Sequence, residues 1–238
     1  MNVMAIPGKL NRPAAAKILN KLKPKKILDL PSGDGWLASS LEYDQFEIDG
    51  VDLFCDKLPG YRNFYKINLD RGIPADLPMY EAAVSCEGIE HIANPELFLS
   101  TLAEHIVEGG TVVITTPNTW YPESRLQFFI KGFFPSFPNL VGRIKRGTHM
   151  HIMPWSYSQL YLYLSLSGFS EIVLHNVDEK KPKHLFEYLI ALIPLLYAYT
   201  KKITANTEEE KHFWRYAASR QSLFGRHLVV SAIKPVAN

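Results

Sequence analysis

The chain has 238 residues, 47% of them apolar and 21% charged, which predicts a soluble α/β domain large enough to bury a core without staples. A formal charge of +2 is too close to zero to signal nucleic-acid binding. The two cysteines, Cys55 and Cys86, suit a reducing compartment rather than a disulfide scaffold, and no zinc spacing is present.

Met1 to Arg12 has no apolar run of the signal-peptide kind, so a cytoplasmic location is expected. After Pro13, Ala14 to Leu22 has helical periodicity, and Pro24 ends it. Lys26 to Leu30 reads as a short strand entering a turn, and Trp36 to Leu41 as a new helix. Ile48 to Leu53, Asn63 to Leu69 and Tyr80 to Cys86 read as the next three strands. A helix over Pro95 to Val107 is expected to stop at Gly109-Gly110, and the β-branched run Thr111 to Thr116 is the clearest strand of the chain.

Beyond Asn118 the pattern changes. Residues 119–150 read as an insertion, aromatic and basic, with Phe128, Phe129, Phe133, Phe134, Phe137, Arg125, Lys131, Arg143, Lys145 and Arg146. A helix over Ser156 to Leu166 and a strand over Phe169 to Val173 follow. Residues 178–226 form a second insertion, and His227 to Ile233 makes the last strand. Within that insertion, Leu185 to Tyr199 is apolar, with Lys180, Lys181 and Lys183 before it and Lys201 and Lys202 after. A spanning helix needs roughly 20 apolar residues, and this stretch is interrupted by Glu187 and Pro194. It reads as a packed cap helix, with an interfacial helix as the alternative.

Alternating strands and helices predict one doubly wound, mostly parallel, seven-stranded sheet with helical cap insertions, whose ligands bind beyond the carboxyl ends of the strands. Chemistry-bearing residues cluster at those ends: Pro31 to Gly35, Asp52, Asn68 to Asp70, Glu87 to His91, and Pro117-Asn118. Gly33 and Gly35 allow close approach of a ligand to the backbone, and a helix start after them would offer amides to an anion. Asp52, 17 residues beyond Gly35, can accept from both hydroxyls of a ribose.

Asp29-Leu30-Pro31-Ser32-Gly33-Asp34-Gly35 resembles the first motif of class I S-adenosylmethionine-dependent methyltransferases, which have a Rossmann-like fold. Asn68-Leu69-Asp70-Arg71-Gly72-Ile73-Pro74 is similar to their adenine-side segment. Glu87-Gly88-Ile89-Glu90-His91-Ile92 resembles the signature after strand four in the quinone-biosynthesis-type branch, and Thr115-Thr116-Pro117-Asn118 the end of their fifth strand. The resemblance implies S-adenosylmethionine as cofactor. Asp29, Ser32, Gly33 and Gly35 would hold its methionine portion, Asp52 the ribose, Leu53, Asn68 and Leu69 the adenine, and Glu87 would lie beneath the sulfonium. Two positions depart from the pattern. Pro31 stands where glycine is usual, removing an amide donor, and Asn68 replaces a common aspartate.

Methyl transfer to a hydroxyl benefits from a general base, for which His91 and His151 are the candidates; each could equally fix a loop by hydrogen bonding. His149-X-His151 has no carboxylate partner motif, so no metal is expected. The expected acceptor is a small molecule, a glycan or a lipid-linked group, with peripheral membrane contact and no nucleic acid. Two other classes compete. Gly33-Asp34-Gly35-Trp36-Leu37-Ala38 also fits a loose nicotinamide-dinucleotide turn, and a binding protein without turnover would keep the same fold.

Overall fold

The computed structural model describes residues 10–55, 58–135, 150–179, 182 and 185–237. Its strands are β1 (Lys26–Asp29), β2 (Glu47–Asp52), β3 (Asn63–Lys66), β4 (Tyr80–Cys86), β5 (Ile106–Pro117), β6 (Ser170–Leu174) and β7 (His227–Ile233). They form one sheet in the order β3-β2-β1-β4-β5-β7-β6. The β3-β2-β1-β4-β5 pairs are parallel, and β7 runs antiparallel to both β5 and β6. This is the expected doubly wound, mostly parallel arrangement.

Each central strand is buried on both faces, as a parallel sheet requires, and successive residues alternate between two cores. On one side Ile27, Ile48, Ala82, Val84 and Val113 pack with Ala15, Ala16 and Leu19 of helix α1 (Asn11–Leu22). On the other, Leu28, Leu30, Ala83 and Ile114 meet Phe98, Leu99 and Leu102 of α2 (Pro95–Glu104) and Leu160 and Leu164 of α4 (Tyr157–Leu166). Helix α3 (Pro122–Lys131) lies in the first expected insertion. The second contains α5 (Leu185–Thr204), α6 (Glu208–Ala217) and α7 (Arg220–Phe224). Phe137, Arg143, Lys145, Arg146, His149, Lys180, Lys181 and Lys183 lie outside the described residues.

Several expected boundaries are corrected. Trp36 to Leu41 is a series of turns, not a helix. The hydroxyls of Ser39 and Ser40 both donate to the Trp36 carbonyl at 2.9 Å, taking the acceptor that a helix would use. Helix α2 stops at Glu104, and the apolar pattern beyond it belongs to β5, whose buried Ile106 pairs with Tyr80. The strand expected over Asn63 to Leu69 ends at Lys66. A 3₁₀ turn over Leu69–Arg71 follows, capped by Asn68, whose side-chain oxygen accepts from the Asp70 amide at 3.0 Å. Helix α1 begins three residues before Ala14 because Pro13 is tolerated in a first helical turn.

The turn after β1 is held against the turn after β4. The Leu30–Pro31 peptide is cis, and a Cβ at Gly88 would lie 2.1 Å from Pro31 Cδ and 2.7 Å from Cγ. Pro31 and Gly88 are therefore a matched pair. We expect Gly88→Ala to cost about 3 kcal/mol through overpacking against the Pro31 ring, and to cost less in a chain that already carries Pro31→Ala. Urea unfolding of the two single variants and the double variant measures the coupling; simple additivity would contradict the contact.

Candidate functional site

Parallel pairing aligns the carboxyl ends of β1, β2 and β4, and buried acids collect there. Asp29, the last residue of β1, is fully buried; the Tyr61 hydroxyl donates to its Oδ2, while Oδ1 has no hydrogen-bond partner. Burial pushes its carboxyl up to about 7, against the hydrogen bond from Tyr61. Ser32, also fully buried, has a hydroxyl with no partner, and its amide donates to the Val51 carbonyl at 2.9 Å. Gly33 has φ +52°, and a Cβ there would meet nothing within 4 Å. Gly35 has φ +73° and donates to the Ser32 carbonyl at 3.0 Å.

Asp52 closes this turn from the end of β2. Its Oδ2 accepts from the Gly33 amide at 3.0 Å, and its Oδ1 from the amides of Phe54 and Cys55 at 2.8 and 3.2 Å. Three of about four acceptor positions on this carboxylate, which was expected to meet a ribose, are thus used to shape the loop itself. Leu53 beside it is exposed. Leu69 is buried in the core, so its side chain is not at the site edge.

Glu87 follows β4 with φ +52°, a strained conformation for a side chain that size. Its amide donates to the Thr115 carbonyl at 3.0 Å, and its Oε1 accepts from Thr115 Oγ1 at 3.1 Å and from Asn11 Nδ2 at 2.6 Å. Burial raises its pKa. Glu90 is deeper still: Oε2 accepts from the Thr116 hydroxyl at 3.0 Å, Oε1 has no hydrogen-bond partner, and burial followed by the neighbouring Glu87 charge pushes the carboxyl up to about 8.

The Glu90 carbonyl accepts from the amides of Ile152 and Met153 at 2.9 and 3.1 Å. That contact brings together two histidines distant in sequence. The His91 and His151 rings meet edge-on with centroids 4.9 Å apart. His91 Nδ1 lies 2.9 Å from the Met150 carbonyl; a carbonyl only accepts, so Nδ1 carries the proton and Nε2 is the lone-pair nitrogen when the ring is neutral. His151 is held low, to about 4, by burial and then by His91. Ligand atoms of Glu90, His91 and His151 all lie within 4.8 Å of one another, close enough to hold a metal ion. Sequence spacing did not reveal this set, because backbone hydrogen bonds, not a local motif, assemble it.

Other site residues were also missed. Asn11 reaches Glu87, and Arg12 pairs with Asp34 at 2.9 Å and lies over the Trp36 ring, so the start of α1 covers the strand ends. An Asn-Arg-Pro helix start carries no functional signature. Tyr61, which donates to Asp29, carries none either, and Thr115 and Thr116, read only as the end of the fifth strand, prove to be the hydroxyl donors to Glu87 and Glu90. Asn118, expected near the ligand, instead ties α7 down by donating to the carbonyls of Ser222 and Gly225 at 2.9 and 2.7 Å.

Two buried acids and the half-buried Glu87, all with raised pKa values and with neutral hydroxyl or amide donors, make an environment that favours a cation. No helix N-terminus follows Gly35, so the feature that holds a pyrophosphate in dinucleotide folds is missing from this turn. The orphaned Asp29 Oδ1, the Ser32 hydroxyl and the open space at Gly33 fit an amino-acid ligand portion with a positive charge.

The chain matches the family described as Methyltransferase domain over residues 8–170, more than half its length. It belongs to that family, and its fold is that of the class I S-adenosylmethionine-dependent methyltransferases. Among curated proteins it is 28% identical over 107 residues to the Ubiquinone biosynthesis O-methyltransferase of Rickettsia prowazekii (strain Madrid E), covering 42% of each chain. With the protein of that name from Rickettsia canadensis (strain McKiel) it is 24% identical over 157 residues, covering 63% of this chain and 64% of the relative. The match thus spans less than two thirds of these relatives' length. Among solved structures, a SAM dependent methyltransferase from Archaeoglobus fulgidus aligns with TM-score 0.55 at 17% identity, over 94% of this chain and 95% of that one. Human N-acetylserotonin methyltransferase, in complex with SAM, aligns with TM-score 0.54 at 10% identity, over 96% of this chain and 53% of that one. Both likenesses concern the fold.

Because burial raises Asp29 above its ordinary pKa, the folded chain holds a proton there that the unfolded chain loses. Asp29 therefore subtracts stability as pH rises from about 4 to about 7. Asp29→Asn should flatten that part of the profile: relative to wild type it becomes more stable at pH 8 than at pH 4, by on the order of 3 kcal/mol. Urea unfolding across this range tests it, and an unchanged slope would place the proton elsewhere.

Proposed function

We propose that this chain transfers a methyl group from S-adenosylmethionine to a hydroxyl oxygen of a small-molecule, glycan or lipid-linked acceptor. The observation that carries this reading is the group of acids at the carboxyl ends of the strands, Asp29 and Glu90 buried and Glu87 half-buried, where a cationic ligand is favoured over an anionic dinucleotide. The cofactor supplies a methyl group on a sulfonium, and alignment for direct displacement accounts for most of the catalysis. Asp29, Ser32, Gly33 and Gly35 would hold its methionine end, Asp52 its ribose, and Leu53 and Asn68 its adenine side, with Glu87 beneath the positive centre. Leu69 would contribute backbone only, and Pro31 sets the turn without donating. The name of the curated relatives, Ubiquinone biosynthesis O-methyltransferase, supports oxygen as the acceptor atom.

Of the two histidines, His91 suits the base role better. The Met150 carbonyl accepts its Nδ1–H, and its Nε2, 3.9 Å from Glu90 Oε1, would take the acceptor proton, whereas His151, with a pKa near 4, is a weak base beside it. The juxtaposition of Glu90, His91 and His151 supports a second reading in which they hold a divalent cation that lowers the acceptor hydroxyl pKa.

Calorimetry should give binding of S-adenosylhomocysteine and none of NADH; the reverse result would end the methyltransferase reading. With radiolabelled cofactor and a catechol acceptor, His91→Ala should lower turnover about a hundredfold and leave S-adenosylhomocysteine affinity near wild type. Loss of turnover on chelation, restored by magnesium or zinc, would select the cation over the base.

A further inference from the structure

Helix α5 is packed inside out. It is 20 residues long, hence about 30 Å, and its buried residues are Glu187, Ala191 and Ala198, spaced so that one narrow stripe of small and polar side chains faces the protein. The large apolar side chains point outward, among them Leu185, Leu189, Leu192, Ile193 and Leu196, with Leu189 64% and Ile193 79% exposed. A helix that served only to cap the fold would bury the wide apolar arc and expose the rest. Between Leu185 and Tyr199 its only charged residue is Glu187, which is buried, so no charge interrupts the exposed arc.

The patch continues onto a second helix. Helix α3 packs beside α5 and ends in Phe129, 87% exposed, and Ile130, 67% exposed. Basic residues border it: Lys131 ends α3 and Lys201 and Lys202 end α5, while in sequence Lys180, Lys181 and Lys183 precede α5. Tyr197 sits at the apolar end of this border with Lys201 Nζ 5.8 Å from its ring centroid, the pairing of an aromatic ring and a cation that suits an apolar–polar boundary. The nearest acidic run, Glu208 to Glu210, is engaged locally: Glu208 pairs with Lys211 at 2.8 Å, and Glu210 accepts from the amides of Asn206 and Thr207. No described helix is long and apolar enough to cross a membrane.

We propose that the outer face of α5 and the end of α3 dock this protein onto an anionic phospholipid bilayer. The apolar arc enters the headgroup–acyl boundary while the lysines at its ends meet lipid phosphates. A second copy of the chain explains the same apolar area less well, because a patch bordered by lysines would face its own charge across a two-fold axis. The larger part of the face, α5 at Leu185–Thr204, lies beyond the family match at 8–170, and docking holds whatever the acceptor is.

Sedimentation of the full chain with vesicles tests this. Wild type should co-sediment with vesicles of phosphatidylcholine and phosphatidylglycerol, and less with phosphatidylcholine alone. Leu189→Glu with Ile193→Glu should weaken binding to both by tenfold or more, about the effect of withdrawing one large apolar side chain from the interface. Lys201→Glu with Lys202→Glu should remove the preference for the anionic vesicles. Circular dichroism should be unchanged in all variants, since the substituted side chains are exposed. Wild type that stays in the supernatant with every vesicle overturns the proposal. So does a solution dimer, by light scattering, that the Leu189/Ile193 variant dissociates while it still binds vesicles as wild type does.

Discussion

Three carboxyl groups gathered at the carboxyl ends of central parallel strands, Asp29 and Glu90 buried and Glu87 half-buried, are the constraint around which the rest of this molecule is arranged. A buried carboxylate is costly unless it is paired or protonated, and here hydrogen bonds come mainly from neutral groups: Tyr61 for Asp29, Asn11 and Thr115 for Glu87, Thr116 for Glu90. Such donors lower the cost without cancelling the charge, and the pKa values of the acids rise accordingly. This end of the sheet is therefore strained electrostatically in the direction that a positive ligand relieves. That is a property of the strand register, because parallel pairing brings the ends of β1 and β4 level and leaves the acids with nowhere else to go.

The covalent path between these acids is stiffened by a contact that the family resemblance alone would count as a defect. Proline at position 31 donates no amide, yet its ring fills the space that the missing Cβ of Gly88 leaves open. The turn bearing Ser32 and Gly33 is thereby seated on the turn bearing Glu87 and Glu90, and Asp52 ties the other side of it to β2 through the Gly33 amide. The crossover after this turn is a set of turns whose serines satisfy the Trp36 carbonyl, so no helix end there offers amides to an anion.

The fold was legible in the sequence where hydrophobic pattern and backbone preference agree. Tyr80 to Cys86 and His227 to Ile233 are strands over the residues expected, because apolar and β-branched residues there serve a sheet buried on both faces. Trp36 to Leu41 misled because its apolar residues mimic a helical turn, and the deciding hydroxyl–carbonyl bonds are invisible to periodicity. The run to Val107 misled for another reason: a helix face and a strand start join without a break at His105. The strand-end residues of the site were readable, since strand ends can be located. Asn11, Tyr61 and the meeting of His91 with His151 were not, because each depends on a neighbour many positions away and on no local motif.

The same limit explains α5. Sequence alone reports that a helix is apolar, and the ordinary inference sends its larger side chains to the core. Which arc faces inward depends on how closely the helix must approach its neighbours, and a stripe holding Ala191 and Ala198 permits an approach that leucines would prevent. Once that narrow stripe is seated, the leucines and isoleucines have no place inside and cover the outer surface instead. Their exposure follows from close seating of α5 against α3, α6 and α7. Helix α3 begins a few residues beyond the end of β5, and α7 is bound through Asn118 to the same strand end. The apolar outer face and the acidic strand ends are thus linked through the end of β5, which positions both α3 and α7 beneath α5.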